Sequence, residues 1–85
     1  MKVTVYSTNT CVYWKMLREW LTDKGQPFDV VMVDEDQNAA MKMYQLSGGQ
    51  MAVPFSTIEY KDGQVEKILG FYRPRFEAAL KVVEK

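Results

Sequence analysis

Apolar positions along the chain change period several times, and each change marks an element. Val3 and Val5 alternate with polar neighbours, predicting a first strand over residues 2–6. Ser7-Thr8-Asn9-Thr10 is a polar loop rich in capping residues. Tyr13, Leu17, Trp20 and Leu21 then recur at helical spacing, and Gly25 and Pro27 end that helix. Phe28 to Val33 is a nearly continuous, β-branched apolar run. It predicts a second strand buried on both faces and parallel to the first, which completes a right-handed βαβ unit. The carboxylates of Asp34-Glu35-Asp36 suit the cap of a second helix carrying Ala39, Ala40, Met43, Tyr44 and Leu46. Ser47-Gly48-Gly49-Gln50 breaks it.

Residues 53–60 predict a third strand that opens with proline. Lys61-Asp62-Gly63 is a hairpin turn signal, so Val65–Leu69 is a fourth strand antiparallel to the third. Pro74 suits the first turn of a last helix, whose apolar face is Phe76, Ala79, Leu80 and Val83. The order is βαβαββα. A four-stranded mixed sheet flanked by three helices buries all of these stripes, although several small α/β folds share that order. Tyr13, Trp20, Phe28, Tyr44, Phe55 and Phe76 are read as core or near-core residues. Met16, Met41, Met43 and Met51 are adaptable fillers, and Met51, next to the Val53-Pro54 pair, is placed to rim a site.

Composition narrows the chemistry. With 85 residues, 47% of them hydrophobic, the chain holds one core, so a single domain over 1–85 is expected. Eleven basic residues balance eleven acidic ones, and nothing points to nucleic acid or an anionic membrane surface. No apolar run approaches the ~20 residues that span a bilayer. Residues 2–6 are too short and too alternating for a signal peptide's apolar segment. Without histidine there is no imidazole base and no ordinary histidine-containing zinc site, so no metal is expected. A single cysteine rules out an internal disulfide and points to a reducing, cytoplasmic home. A neutral domain of this size is expected to be a monomer.

That cysteine, Cys11, falls between the first strand and the first helix. Unpaired N–H groups at a helix start favour thiolate over thiol, and the thiolate is what attacks disulfides. The plain alternative is a small buried apolar residue. Val53-Pro54 reads either as proline at the first residue of a strand or as a cis-proline loop facing the thiol. In the second case the Val53 backbone could pair with a substrate's extended chain.

Three segments carry a family resemblance that covers the whole chain. Val5-Tyr6-Ser7-Thr8-Asn9-Thr10-Cys11-Val12-Tyr13-Trp14 resembles the glutaredoxin active-site stretch, in which C-x-x-C opens the first helix. Ala52-Val53-Pro54 resembles the family's cis-proline loop. Gly70-Phe71-Tyr72-Arg73-Pro74 resembles the Gly-Phe-Arg-Pro segment of the NrdH-redoxin branch, with Tyr72 inserted. The resemblance implies a thioredoxin-like fold. It also implies Cys11 as nucleophile, a cis bond before Pro54, and a substrate surface of Thr10, Val12, Tyr13, Trp14, Val53 and Pro54.

Departures from the family's pattern refine what it implies. Trp14 stands where the second cysteine would be, so a mixed disulfide at Cys11 needs an outside thiol, such as glutathione as reductant. Thr8 stands where a typical glutaredoxin has lysine, and the Gly-Gly/Asp-Asp stretch after the fourth strand is not evident. Arg73, Arg75 and Lys15 are the remaining candidates to hold a peptide carboxylate. Trp14 would shield the thiolate, stack on a substrate or block the site; otherwise it packs within the domain.

Three functions follow. The first is a monothiol oxidoreductase acting on disulfide or glutathionylated protein substrates, with no bound cofactor and with glutathione or a thioredoxin-reductase-like donor as electron source. The second is a binding or adaptor module without turnover. The third is an iron–sulfur carrier. Carriers of that kind resemble this chain in having one active-site cysteine, but their motif is Cys-Gly-Phe-Ser, and a bulky Trp14 beside the thiol would crowd a cluster.

Overall fold

Seven elements follow one another as β1 (Lys2–Ser7), α1 (Val12–Asp23), β2 (Asp29–Met32), α2 (Gln37–Leu46), β3 (Phe55–Glu59), β4 (Val65–Leu69) and α3 (Arg73–Leu80). They are seen in a computed structural model that describes residues 1–49 and 52–81. Met51, read as the rim of the site, and Val83, read as part of the last helix's apolar face, lie outside those residues. The sheet order is β2-β1-β3-β4. β1 pairs with β2 in parallel, and β3 is antiparallel to both β1 and β4. This is the predicted βαβαββα architecture, with a mixed sheet between helices.

Strand alternation divides the core between the two faces. Val3, Val5, Ile58 and Ile68 pack against Trp14, Leu17 and Leu21 of α1 and Phe76 and Ala79 of α3. Tyr6 and Phe55 pack against Met43 of α2, with Val31, Val33, Leu46 and Val53 around them. Half-buried Trp20 joins α1 to the α3 side, its ring 6.0 Å from those of both Phe71 and Phe76. The β3–β4 turn closes on Gly63 at φ +90°, a left-handed conformation that glycine adopts without cost. There the Gly63 N–H donates to the Tyr60 carbonyl (3.0 Å) and the Tyr60 N–H to that of Gln64 (2.9 Å).

Two expectations are corrected. β2 is not buried on both faces: it is an edge strand, Asp29 and Val30 are exposed, and Val31 and Met32 are only half-buried. The run is β-branched because it belongs to a sheet, and its place at the edge leaves it partly uncovered. Tyr13 and Tyr44 are not core residues either; they are 62% and 50% exposed. The buried stripe of α1 is Trp14, Leu17 and Leu21, and Tyr13 lies one residue, roughly 100°, around the helix from Trp14.

The capping prediction for α2 holds at Asp36. Its Oδ1 accepts hydrogen bonds from the Asn38 N–H (2.9 Å) and the Ala39 N–H (3.4 Å). Asp36→Ala leaves both donors without that acceptor and is expected to cost about 1 kcal/mol. Urea titration would read it as a lower midpoint with an unchanged slope.

Pairing directions fix which end of the sheet matters. β4 runs parallel to β1, since each is antiparallel to β3. β1, β2 and β4 therefore finish at one end, where α1, α2 and α3 begin and β3 enters. Loops 8–11, 33–36, 52–54 and 70–72 gather there. Among the described residues no helix is long and apolar enough to cross a membrane.

Candidate active site

Cys11 is the N-cap residue of α1, in extended conformation (φ −77°, ψ 115°). Its N–H donates to the Thr8 carbonyl at 3.3 Å, closing the loop that leaves β1. Its side chain is half-buried against the α1/α3 core. No side chain caps α1, and its first turn holds no acidic residue. The first N–H groups of α1 therefore have no side-chain cap, and Cys11 is the residue that precedes them.

The structure moves Trp14 away from the role of substrate platform. Its indole is 4% exposed and sits in the core. It makes an edge contact with Phe28 (centroids 5.9 Å apart, planes at 80°), and the Arg18 guanidinium lies 5.9 Å from the ring. No face is left on which a substrate could stack, because position 14 belongs to the buried stripe of α1. Packing thus occupies the position where C-x-x-C would place a second thiol. Cys11 packs against the same core cluster that holds the indole. Among the described residues, no three His, Cys, Asp or Glu side chains gather as metal ligands.

The other candidate residues separate by exposure. Thr10 is exposed, Val12 is 67% exposed, and Tyr13 shares that open surface. Val53 is half-buried against the α2-side core, and Pro54 is fully buried. The Val53–Pro54 peptide bond is cis. Tyr6 pairs with Phe55, so Pro54 enters the sheet beside the end of β1, the strand that leads to Cys11. The Pro54 carbonyl accepts from the Gly70 N–H at 2.7 Å, tying this loop to the one that opens α3.

Of the cationic candidates, Arg75 is engaged: it pairs with Glu66 and donates to the Lys67 carbonyl at 3.0 Å. Lys15 and Arg73 are exposed and make no ion pair among the described residues. A residue that the pattern does not single out, Asn9, sits in the same loop as Cys11 and binds two carboxylates across the β2–α2 turn. The signal available was topological: β1 and β2 are parallel, so the segments that follow them lie side by side.

Residues 3–58 match the glutaredoxin family model. The chain is 36% identical to Mycoredoxin 1 of Corynebacterium glutamicum over 61 residues, covering 72% of each protein. It is 36% identical to the glutaredoxin-like protein NrdH of Lactococcus lactis over 55 residues, covering 65% of this chain and 74% of that one. A glutaredoxin crystal structure from Archaeoglobus fulgidus superposes with a TM-score of 0.79, over 95% of this chain and 87% of that one, at 21% identity.

Proposed function

Starting from the fact that this chain belongs to the glutaredoxin family, we propose that it is a monothiol thiol–disulfide oxidoreductase acting on mixed disulfides. One observation carries the reading: the chain's single cysteine is the N-cap of α1, half-exposed at the end of the sheet where the Val53-Pro54 loop enters. The Cys11 thiolate attacks the glutathione sulfur of a protein–glutathione disulfide. The S–S bond breaks, the protein thiolate leaves and takes up a proton, and glutathione is now bonded to Cys11. A second glutathione, as thiolate, attacks that bond, frees the Cys11 thiolate and departs as glutathione disulfide. No internal thiol can perform the second step, because the chain has no other cysteine.

Thr10, Val12 and Tyr13 would line the approach of the substrate chain, with Val53 opposite. A thioredoxin-reductase-like protein is the alternative electron donor. A reducing, cytoplasmic compartment and a monomeric chain fit this chemistry. The exposed apolar surface of Val12, Tyr13 and Met16 favours one other reading, a binding module without turnover. Such a module would hold its partner equally well after Cys11→Ser.

Trapping tests the first step. Reduced protein mixed with glutathione disulfide is expected to gain one glutathione per chain, on Cys11, and to lose it when reduced glutathione is added. Intact mass spectrometry and peptide mapping read both steps. A chain that stays unmodified would overturn the reading.

A further inference from the structure

The loop that carries Cys11 is tied to the neighbouring β–α turn by one residue. The backbone N–H of Asn9 donates to Asp34 Oδ2 at 3.0 Å, and its Nδ2 donates to the same oxygen at 3.2 Å. Nδ2 also donates to Glu35 Oε2 at 2.7 Å. Hydrogen bonds to ionised acceptors are stronger than neutral ones. The receiving turn is itself fixed. The Val33 N–H donates to the Ser7 carbonyl (2.9 Å), the Glu35 N–H donates to the Met32 carbonyl (3.3 Å), and Asp36 caps α2. Within the loop, one short-range backbone bond spans Asn9, from the Cys11 N–H to the Thr8 carbonyl. Cys11 itself makes no capping bond.

From this geometry we propose that Asn9 is a positioning residue for Cys11. By clasping Asp34 and Glu35 it holds the loop so that the sulfur stays at the amide end of α1. Its hydrogen bonds go to Asp34 and Glu35, and it acts through the loop. The inference deepens the oxidoreductase reading and rests on it for its purpose.

Charge alone would make a different prediction, and this separates the two. Asp34 and Glu35 place negative charge near the loop, which disfavours a thiolate. Removing both carboxylates therefore speeds thiolate chemistry if only charge matters. It slows that chemistry if the clasp matters more, because the loop loses its acceptors.

The test is the rate at which iodoacetamide alkylates Cys11 at neutral pH in the full chain. Asn9→Ala is expected to slow it roughly two- to fivefold, the scale of a helix-terminus interaction. Asp34→Ala/Glu35→Ala is expected to slow it as well. Asp34→Asn/Glu35→Gln keeps acceptor oxygens without charge and is expected to restore at least the wild-type rate. An unchanged rate in Asn9→Ala would overturn the proposal, as would a faster rate in the double alanine variant. Circular dichroism would check that each variant is folded. Alkylation needs no disulfide substrate, so it can succeed or fail independently of the oxidoreductase reading.

Discussion

Cys11→Ser is expected to lower the glutathione-dependent reduction of a glutathionylated peptide to the uncatalysed rate while leaving the fold intact. The loss is complete, not partial, because the chain has no second thiol to substitute. A hydroxyl is essentially un-ionised where a thiolate forms readily, and only the thiolate attacks a disulfide at useful rates. The side chain is half-exposed and makes no capping bond, so exchanging sulfur for oxygen removes little packing. Thermal unfolding is expected to match wild type within a few degrees. A serine variant that retained turnover would place the chemistry elsewhere on the chain.

The second large effect concerns stability. Trp14→Ala removes a nearly fully buried indole from the α1/α3 core, along with its edge contact to Phe28. Truncations of this kind cost about 3–5 kcal/mol. An 85-residue chain is stable by roughly 0.05–0.15 kcal/mol per residue, so the loss is a large share of the total. Urea denaturation should show a much lower midpoint. Trp14→Phe, which keeps an aromatic ring for Phe28, should recover more than half of it. Trp14→Cys recreates the C-x-x-C pattern but forfeits the same packing, and a loss of similar order is expected. Had Trp14 been an exposed stacking platform, alanine would leave stability within about 0.5 kcal/mol and would raise the KM for peptide substrates.

Much of this architecture could be read along the chain because local signals and global fold agree. The Asp62-Gly63 turn predicts a strand over Val65–Leu69, and it is observed with those limits. Pro74 marked the first turn of α3, and Asp36 marked the cap of α2. The misreadings share one cause. Periodicity tells which residues can lie on one stripe, but not which stripe the sheet covers. Tyr13, Leu17, Trp20 and Leu21 and the observed Trp14, Leu17 and Leu21 are stripes offset by one residue at their start. Only the packing of α1 against Phe28 and the sheet chooses between them.

Likewise, the β-branched run of β2 looks the same at a sheet's edge as at its centre. In the site, Cys11 and the cis bond before Pro54 were legible through family motifs. The clasp of Asn9 was not, because its partners Asp34 and Glu35 are far away in sequence and meet it only once β1 and β2 pair in parallel. The sequence pattern gives Asp34-Glu35-Asp36 as carboxylates suited to the cap of α2. That is right for Asp36 and incomplete for the other two.

In the proposed reaction one thiol, renewed from outside, does the chemistry. Steady-state reduction of a glutathionylated peptide by the wild-type chain, measured across a range of glutathione concentrations, tests it most directly. The rate is expected to lie well above the uncatalysed reaction and to rise with glutathione, because an outside thiol must free Cys11 in every cycle. A rate no higher than without the protein, at any glutathione concentration, would contradict it.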